Sequence, residues 1–162
     1  MTTTRTTFSK PKDSDYKELY DLKTNDQVRK YLGGAKPEDE FKKNFKEILS
    51  AKKPEAYWIV REKATELFIG LLSITDHHDK EYYEVSYELH PNIWGKGYGT
   101  EVTQRAIQYA FEELNLDKII AETQKKNKAS IRVLEKVGMK FEKEIERFHE
   151  IQVIYGIQKT IA

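Results

Sequence analysis

The amino-acid sequence predicts an α+β protein in which one mixed, mostly antiparallel sheet of about seven strands is flanked by helices. Three observations support this prediction. The spacing of apolar residues changes from a period of 3.6 to a period of 2 at Ala56. A helical segment connects two apolar strands, 82–89 and 118–122, and such a crossover makes them parallel neighbours. The chain then closes with a hairpin formed by 141–147 and 151–160.

The part of the chain before Ala56 is predicted to contain one strand and three helical segments. Residues 1–12 are expected to form the first strand, which a proline and the polar cluster 13–15 end. Two short helical segments follow, and the second stops at the glycine pair 33–34. Pro37 begins the third helix, whose apolar residues recur at i, i+4, i+7 and i+8 and therefore form one buried stripe.

The second half of the chain is predicted to supply six strands and two helices. Strands at 57–60, 67–75 and 82–89 are joined by short polar turns and form an antiparallel meander. An amphipathic helix then runs to Leu116 and leads into the strand 118–122. A last helix is expected over 127–136, before the closing hairpin.

Composition limits the classes of function that the chain can have. The net charge is +1 at pH 7, which gives no electrostatic case for binding nucleic acid or an anionic membrane. The sequence has no cysteine, which excludes disulfides, thiolate zinc sites and a cysteine nucleophile. It also lacks the roughly 18-residue apolar run that a membrane span needs. We expect residues 1–162 to form a single cytoplasmic domain, as a monomer or a homodimer.

The most informative stretch is the glycine-rich loop after the strand 82–89. Glycine at 95, 97 and 99 permits positive φ and leaves no Cβ between the backbone N–H groups and a ligand. The helix that follows adds unpaired N–H donors and the positive end of its dipole, a combination that favours phosphate or pyrophosphate. An ordinary strand–turn–helix corner without a ligand is the alternative interpretation.

Two nucleotide-binding motifs do not fit this loop. A dinucleotide fingerprint needs a third glycine at the position of Thr100, and a Walker loop needs serine or threonine after Lys96, where Gly97 stands. The loop Trp94-Gly95-Lys96-Gly97-Tyr98-Gly99 instead resembles the pyrophosphate loop of the GCN5-related N-acetyltransferase (GNAT) superfamily, Gln/Arg-x-x-Gly-x-Gly/Ala. The tryptophan in place of Gln/Arg resembles the ribosomal-protein N-acetyltransferase branch (RimJ/RimL type).

A second motif of that superfamily resembles the segment 127–141, from Asn127 through Ser130 and Gly138 to Phe141. It starts 28 residues after Gly99, with a helix and a strand between them, in the order that the family requires. The resemblance covers nearly the whole chain. It implies acetyl transfer from acetyl-CoA to a primary amine, such as a protein N-terminal α-amine, by direct attack in a ternary complex.

The resemblance also implies a cofactor site where the two parallel strands splay apart. The N–H groups of Lys96 to Thr100 would hold the pyrophosphate, and main-chain groups of Leu89 and His90 would pair with the pantetheine arm. Asn127 would fix that arm by its side-chain amide or act only as a helix N-cap. The implied cofactor-binding residues are Leu89, His90, Trp94, Gly95, Lys96, Gly97, Tyr98, Gly99, Thr100, Asn127 and Ser130. No metal is expected.

Three residues are candidates for the chemistry of acetyl transfer. Alignment with family members that use a strand-borne glutamate indicates Glu84 as the base, and Glu88 lies on the same face of the strand. A plain solvent-facing strand would explain both glutamates equally well. Ser130 matches a serine that is thought to orient or protonate the thiolate in the RimJ/RimL branch, although it is also an ordinary first-turn serine. Leu134 stands where many relatives carry a tyrosine, and it cannot donate a proton.

Other functions and other sites remain open on the sequence alone. The chain could be a non-catalytic acyl-CoA-binding module, or it could acetylate a small polycation such as a polyamine or aminoglycoside. A polycation site should be lined by carboxylates, and Glu81, Glu84 and Glu88 offer such a lining. The run 76–79, Asp-His-His-Asp, could suggest a metal site, but neighbouring histidines in a strand point to opposite faces. The run is therefore predicted to be a polar surface turn.

Overall fold

The computed structural model of the protein describes residues 1–160, whose strands form one seven-stranded sheet. The strands are β1 (Thr6–Ser9), β2 (Ala56–Glu62), β3 (Phe68–Asp76), β4 (Tyr83–Leu89), β5 (Lys118–Gln124), β6 (Lys140–Arg147) and β7 (Glu150–Gln158). Their spatial order is β1-β2-β3-β4-β5-β7-β6. Neighbouring strands are antiparallel except β4 and β5, which are parallel. The predicted fold class is therefore confirmed.

Helices pack on both faces of this sheet. They are α1 (Tyr16–Lys23), α2 (Asp26–Arg29), α3 (Glu38–Ser50), α4 (Tyr98–Glu112) and α5 (Lys128–Lys136). Short 3₁₀ turns occur at Asp13–Asp15 and Pro91–Ile93. Within residues 1–160, none of the helices is both long enough and apolar enough to cross a bilayer.

The first strand is shorter than the sequence predicts. We expected it over 1–12, but β1 covers only Thr6–Ser9. The residues before it fold back on it, because the Phe8 N–H donates to the Met1 carbonyl at 3.0 Å and Thr2 forms an antiparallel bridge with Thr7. A local turn therefore replaces the first half of the predicted strand.

Two apolar clusters, one on each face of the sheet, explain the helical spacing of the sequence. On one face, α4 and α5 bury Val102, Ala106 and Leu134 against the sheet. On the other face, α1 and α3 bury Leu19 and Phe41 against β2 and β3. Each helix therefore turns its apolar stripe toward the sheet.

The two parallel strands meet at their beginning and then separate. The register between β4 and β5 pairs Glu84 with Ile120, near the start of each strand. After this position the strands diverge, so that Leu89 and Gln124 end on opposite sides of a gap. Backbone groups that face this gap resemble those of an edge strand, which can bind an extended ligand.

Gly70 on β3 allows β4 to lie close at the rim of the gap. A Cβ added to Gly70 would overlap the Glu88 carbonyl oxygen and would lie 2.9 Å from Leu89 Cα. Both are backbone atoms, which cannot move out of the way without shifting the strand. Glycine at this position therefore allows the backbones of β3 and β4 to lie close together at Glu88 and Leu89.

We expect Gly70→Ala to lower the free energy of unfolding by about 2 kcal/mol, because β4 must move to accept the methyl group. Urea denaturation measures this loss. Gly156→Ala is the matched control, since a Cβ there would meet mainly the end of the Glu142 side chain, which can rotate away. Equal losses in the two variants would contradict the proposed crowding between β3 and β4.

Candidate active site

The glycine-rich loop connects β4 to α4 and is shaped by two glycines with positive φ. Gly95 has φ of 75° and Gly97 has φ of 84°, in the left-handed region that other residues avoid. Gly97 is the N-cap of α4, and the first helical bond runs from the Glu101 N–H to the Gly97 carbonyl at 3.1 Å. The N–H groups of residues 98–100 precede that bond at the positive end of a 15-residue helix. They form the arrangement of donors that binds phosphate.

Arg5 stabilises the loop through contacts with Lys96, Tyr98 and Glu101. Its Nη1 donates to the Lys96 carbonyl at 2.9 Å, and its Nε pairs with Glu101 Oε1 at 2.8 Å. The guanidinium also lies 4.0 Å from the centre of the Tyr98 ring. Sequence reasoning missed Arg5, because these partners are more than ninety residues away and form no local motif.

The end of β4 directs one predicted main-chain group into the gap. The His90 N–H donates to the Ile69 carbonyl at 2.7 Å, and the His90 carbonyl accepts from the Ile93 N–H. Leu89 lies opposite Gly70, at a position whose main-chain groups point away from β3. Trp94 Nε1 donates to the Leu89 carbonyl at 2.8 Å.

These bonds correct one part of the predicted cofactor site. His90 cannot offer its N–H to a pantetheine arm, because that group already pairs with β3. The Leu89 carbonyl has the Trp94 indole as its partner, which leaves the Leu89 N–H as the group that faces the gap. Trp94 therefore contributes a local bond at the position where the family usually carries Gln or Arg.

A pair of hydroxyl groups connects β4 to α5. Asn127 caps α5, since its side-chain oxygen accepts from the Ser130 N–H at 3.1 Å. This cap places Ser130 in the first turn, where its Oγ accepts a bond from the Tyr87 O–H at 3.1 Å. A Cβ on Gly99 would lie 4.0 Å from the Tyr87 ring, so the ring sits between the starts of α4 and α5.

Tyr87 is a functional candidate that the sequence did not reveal. Its alternation with Val85 and Leu89 indicates only a residue on the apolar face of β4, and no motif includes it. Burial raises the pKa of the Tyr87 phenol, although the bond to Ser130 opposes the shift. Leu134 is 2% exposed and belongs to the apolar cluster under α4 and α5, as a residue without a chemical role would.

The opposite face of β4 carries Glu84, Ser86 and Glu88, and we call it the acceptor face. Ser86 is exposed between the two glutamates; Glu84 is half-buried, and the Glu88 side chain is only 11% exposed. Glu88 forms ion pairs with Lys23 of α1 and with Arg29 of α2, whose Nη1 lies 3.3 Å from Glu88 Oε2. Burial alone would raise the pKa of Glu88, but these two cations outweigh it and hold that pKa below its usual value. Glu88 is therefore a poor base.

Glu84 has the opposite electrostatic environment. Burial raises the pKa of its carboxyl group to about 7, and the negative charges of Glu122 and Asp79 act in the same direction. The positive charge of His77 opposes the shift without cancelling it. A carboxyl group with this pKa exchanges its proton near neutral pH, as a general base must.

The turn after β3 lies at the surface, as predicted, with Asp76, His78 and Asp79 exposed, but His77 is buried within it. His77 is 1% exposed, with its Nε2 2.6 Å from Glu122 Oε1 and its Nδ1 2.9 Å from Asp79 Oδ1. The rings of His77 and His78 lie 4.1 Å apart, on the same side of the chain. The alternation of a strand does not apply to them because β3 ends at Asp76. The turn therefore folds over the sheet beside the acceptor face.

His77, His78 and Glu122 have potential metal-ligand atoms within 4.8 Å of one another. Glu122 is, however, already bound by Arg147, whose Nε and Nη2 donate to its two oxygens at 2.9 and 3.0 Å. A cation would therefore compete with a guanidinium for this carboxylate. We assign the cluster a structural role, in which it ties the turn to β5 and β6.

Known proteins share sequence similarity with most of this chain. Residues 5–140 match the family model described as an acetyltransferase (GNAT) domain. The chain is 28% identical, over 88% of its own length and 83% of the relative's, to the uncharacterised N-acetyltransferase YnaD of Bacillus subtilis (strain 168).

Solved structures share the fold. A GNAT-family acetyltransferase from Bacillus anthracis superposes with a TM-score of 0.85 at 24% identity, covering 98% of this chain and 97% of that one. A spermidine N-acetyltransferase from Vibrio cholerae, solved with CoA and spermine, superposes with a TM-score of 0.82 at 21% identity, covering 95% of each chain. The chain therefore belongs to the GNAT family of N-acetyltransferases, whose members take the acetyl group from acetyl-CoA.

Proposed function

We propose that the protein acetylates a primary amine that carries a single positive charge, such as a protein N-terminal α-amine, with Glu84 as the general base. The observation that carries this proposal is the half-buried Glu84 carboxyl group on the acceptor face, whose pKa is raised to about 7. The Trp94 loop and Ser130 further support membership of the RimJ/RimL-like branch.

In this proposal acetyl-CoA binds as a co-substrate along the α4 side of the gap. The N–H groups of residues 98–100 bind its pyrophosphate, and the Leu89 N–H and the Asn127 amide contact its pantetheine arm. The free amine attacks the thioester carbonyl, the C–N bond forms, and the C–S bond breaks. Glu84 takes the proton that the ammonium group loses before attack, directly or through water, and the second proton, which the nitrogen loses after the C–N bond forms, passes to the departing thiolate or to solvent.

Ser130 and Tyr87 act on the leaving sulfur in the same scheme. The Tyr87 O–H donates a hydrogen bond to Ser130 Oγ, which leaves the serine O–H free to donate a hydrogen bond elsewhere. A serine O–H that points into the gap stabilises the thiolate by a hydrogen bond, and it need not transfer its proton, because a thiol pKa is only about 8.5. This arrangement supplies a hydrogen-bond donor for the leaving sulfur, although Leu134 stands where many relatives carry a tyrosine.

The pKa of Glu84 supports an α-amine as the acceptor. An α-ammonium group has a pKa of about 7.7–8.0, so transfer of its proton to a carboxylate of pKa about 7 is nearly balanced. A lysine-type alkylammonium has a pKa of about 10.4, and the same transfer is then unfavourable by about three pKa units. Glu84 is therefore a better proton acceptor for an α-ammonium group than for a lysine-type ammonium group.

The charges around the acceptor face oppose a polycationic acceptor. Glu88 is neutralised by Lys23 and Arg29, and Glu122 by Arg147. Glu84 is then the carboxylate on the acceptor face that is left to attract a cation. A polyamine or aminoglycoside would find the Glu84 carboxylate at one end of this face and a net charge of +1 from Lys23, Arg29 and Glu88 at the other. The fold shared with the spermidine N-acetyltransferase does not supply the missing carboxylates.

We expect kcat/KM to rise with pH through a midpoint near 7, as Glu84 loses its proton. Glu84→Gln should lower kcat/KM by about 10²–10⁴-fold and remove this limb of the profile. Thiol release from acetyl-CoA with a panel of N-terminal peptides measures both effects. Glu81→Gln, an exposed neighbour in the turn, is the matched control. An unchanged profile in Glu84→Gln would exclude Glu84 as the base.

The free energy of unfolding should fall as pH rises, whereas kcat/KM should rise. Between the ordinary carboxyl pKa of 4.5 and about 7, the native state holds a proton on Glu84 that the unfolded state has lost. The free energy of unfolding therefore falls as pH rises through this window. Glu84→Gln removes the effect, so the variant should gain roughly 2 kcal/mol over the wild type between pH 5 and pH 8. Urea denaturation at both pH values tests this. A stability difference between variant and wild type that does not change with pH would contradict it.

Ser130→Ala and Tyr87→Phe should each lower kcat, by up to about tenfold, because each removes part of one hydrogen-bonded unit. The double variant should be no slower than Ser130→Ala, since Tyr87 acts through the serine. Steady-state kinetics at saturating acetyl-CoA measure all three. Unchanged turnover in Ser130→Ala would remove the serine from the mechanism. Additive losses in the double variant would show that Tyr87 does not act through Ser130.

A further inference from the structure

We infer that the acceptor carries a carboxylate two or three residues from its amine, which Lys36 binds beside the ion-paired Lys23 and Arg29 at the Glu88 end of the acceptor face. This inference rests on the proposed function and names the class of amine. It indicates a peptide N-terminus with an acidic side chain among its first residues.

Two cations and one carboxylate meet at the Glu88 end almost out of contact with solvent. The side chains of Lys23, Arg29 and Glu88 are 8%, 11% and 11% exposed. Lys23 Nζ binds one oxygen of Glu88, and Arg29 Nη1 binds the other at 3.3 Å. The three groups together keep a charge of +1. An uncompensated charge in such a site is unfavourable, and a bound anion would offset it.

The cations are held in place before any acceptor binds. Arg29 donates from Nε to the Gly34 carbonyl at 3.0 Å and from Nη2 to the Leu32 carbonyl at 2.6 Å. The Lys36 N–H donates to the Lys23 carbonyl at 3.0 Å, which attaches the segment 30–36 to the end of α1. The guanidinium therefore cannot swing into solvent without breaking three bonds.

Lys36 adds a third positive charge. It is half-buried, and within residues 1–160 no carboxylate lies within 4 Å of its ammonium group. Burial and the positive charges of Arg29 and Lys23 lower the pKa of Lys36, against the opposite effect of Glu88 and Glu40. Positive charge therefore exceeds negative charge at this end of the acceptor face.

The acceptor face thus has a charge of opposite sign at each end. Glu84 and Glu88 are four residues apart on β4, a distance of about 13 Å in a strand, with the exposed Ser86 between them. If the acceptor's ammonium group lies at Glu84, two or three residues of the acceptor fit between it and the positive charges at the Glu88 end. A free amino acid is too short to reach both ends, and a polyamine offers no anion.

Binding can be tested without turnover, by isothermal titration calorimetry on the full chain saturated with desulfo-coenzyme A, which cannot donate an acetyl group. The probes are Ala-based tetrapeptide amides with one Glu at the first, second or third position, each paired with its Gln counterpart. At least one Glu peptide should bind roughly tenfold more tightly than its Gln partner, the typical effect of a charge-assisted bond.

Lys36→Met should reduce that preference to less than about threefold. Lys46→Met is the matched control, because it removes the same charge from an exposed position on α3 and should keep the preference. Equal affinities within every Glu/Gln pair, no binding by any peptide, or an unchanged preference in Lys36→Met would each overturn the inference.

Turnover of the same peptides with acetyl-CoA separates this inference from the proposed function. Acetylation of Glu and Gln peptides at equal rates and equal affinities would keep the proposed function and overturn the carboxylate site. A Glu preference in binding, with no acetylation of any peptide, would keep the site and contradict the proposed function.

Discussion

The separation of β4 from β5 is the constraint on which the rest of the molecule depends. Two parallel strands that pair at Glu84 and Ile120 and then diverge leave backbone groups without a neighbouring strand. A β-sheet does not tolerate such a gap unless something else covers it. Here α4 and α5 begin at its rim, and their capping groups and N–H donors face the same opening. The defect in the sheet and the donors of the two helices thus belong to one site.

Successive side chains of a strand point to opposite faces, so β4 contributes to both sides of the sheet. Tyr87 points to the side of α4 and α5, where it meets Ser130. Glu84 and Glu88 point to the other side, where helices α1 and α2 contribute Lys23 and Arg29. In the proposed function, the sheet separates the acyl donor from the acceptor by the thickness of a single strand, and the two substrates meet at the gap, where β4 no longer has a parallel partner.

Local patterns predicted much of this arrangement, and long-range contacts account for what they missed. The glycine loop, the Asn127 cap and the order of helices and strands along the chain follow from short segments whose structure is determined by neighbouring residues. The burial of His77 and the support of the loop by Arg5 depend on partners that are 45 and 96 residues away. Glu84 and Glu88 look equivalent in the sequence, and only the fold shows that one is paired and the other is not.

The segment 30–36 has a consequence for how this protein could diversify. Arg29 anchors the segment through the Leu32 and Gly34 carbonyls, while the glycine loop and α5 lie on the other side of the sheet. Under the proposed function, changes of length or charge in seven residues could therefore alter which amine is accepted, without disturbing the side of the sheet that we propose binds the coenzyme. Closely related enzymes could then inherit one acyl donor and acquire unrelated acceptors by mutation of a single surface loop.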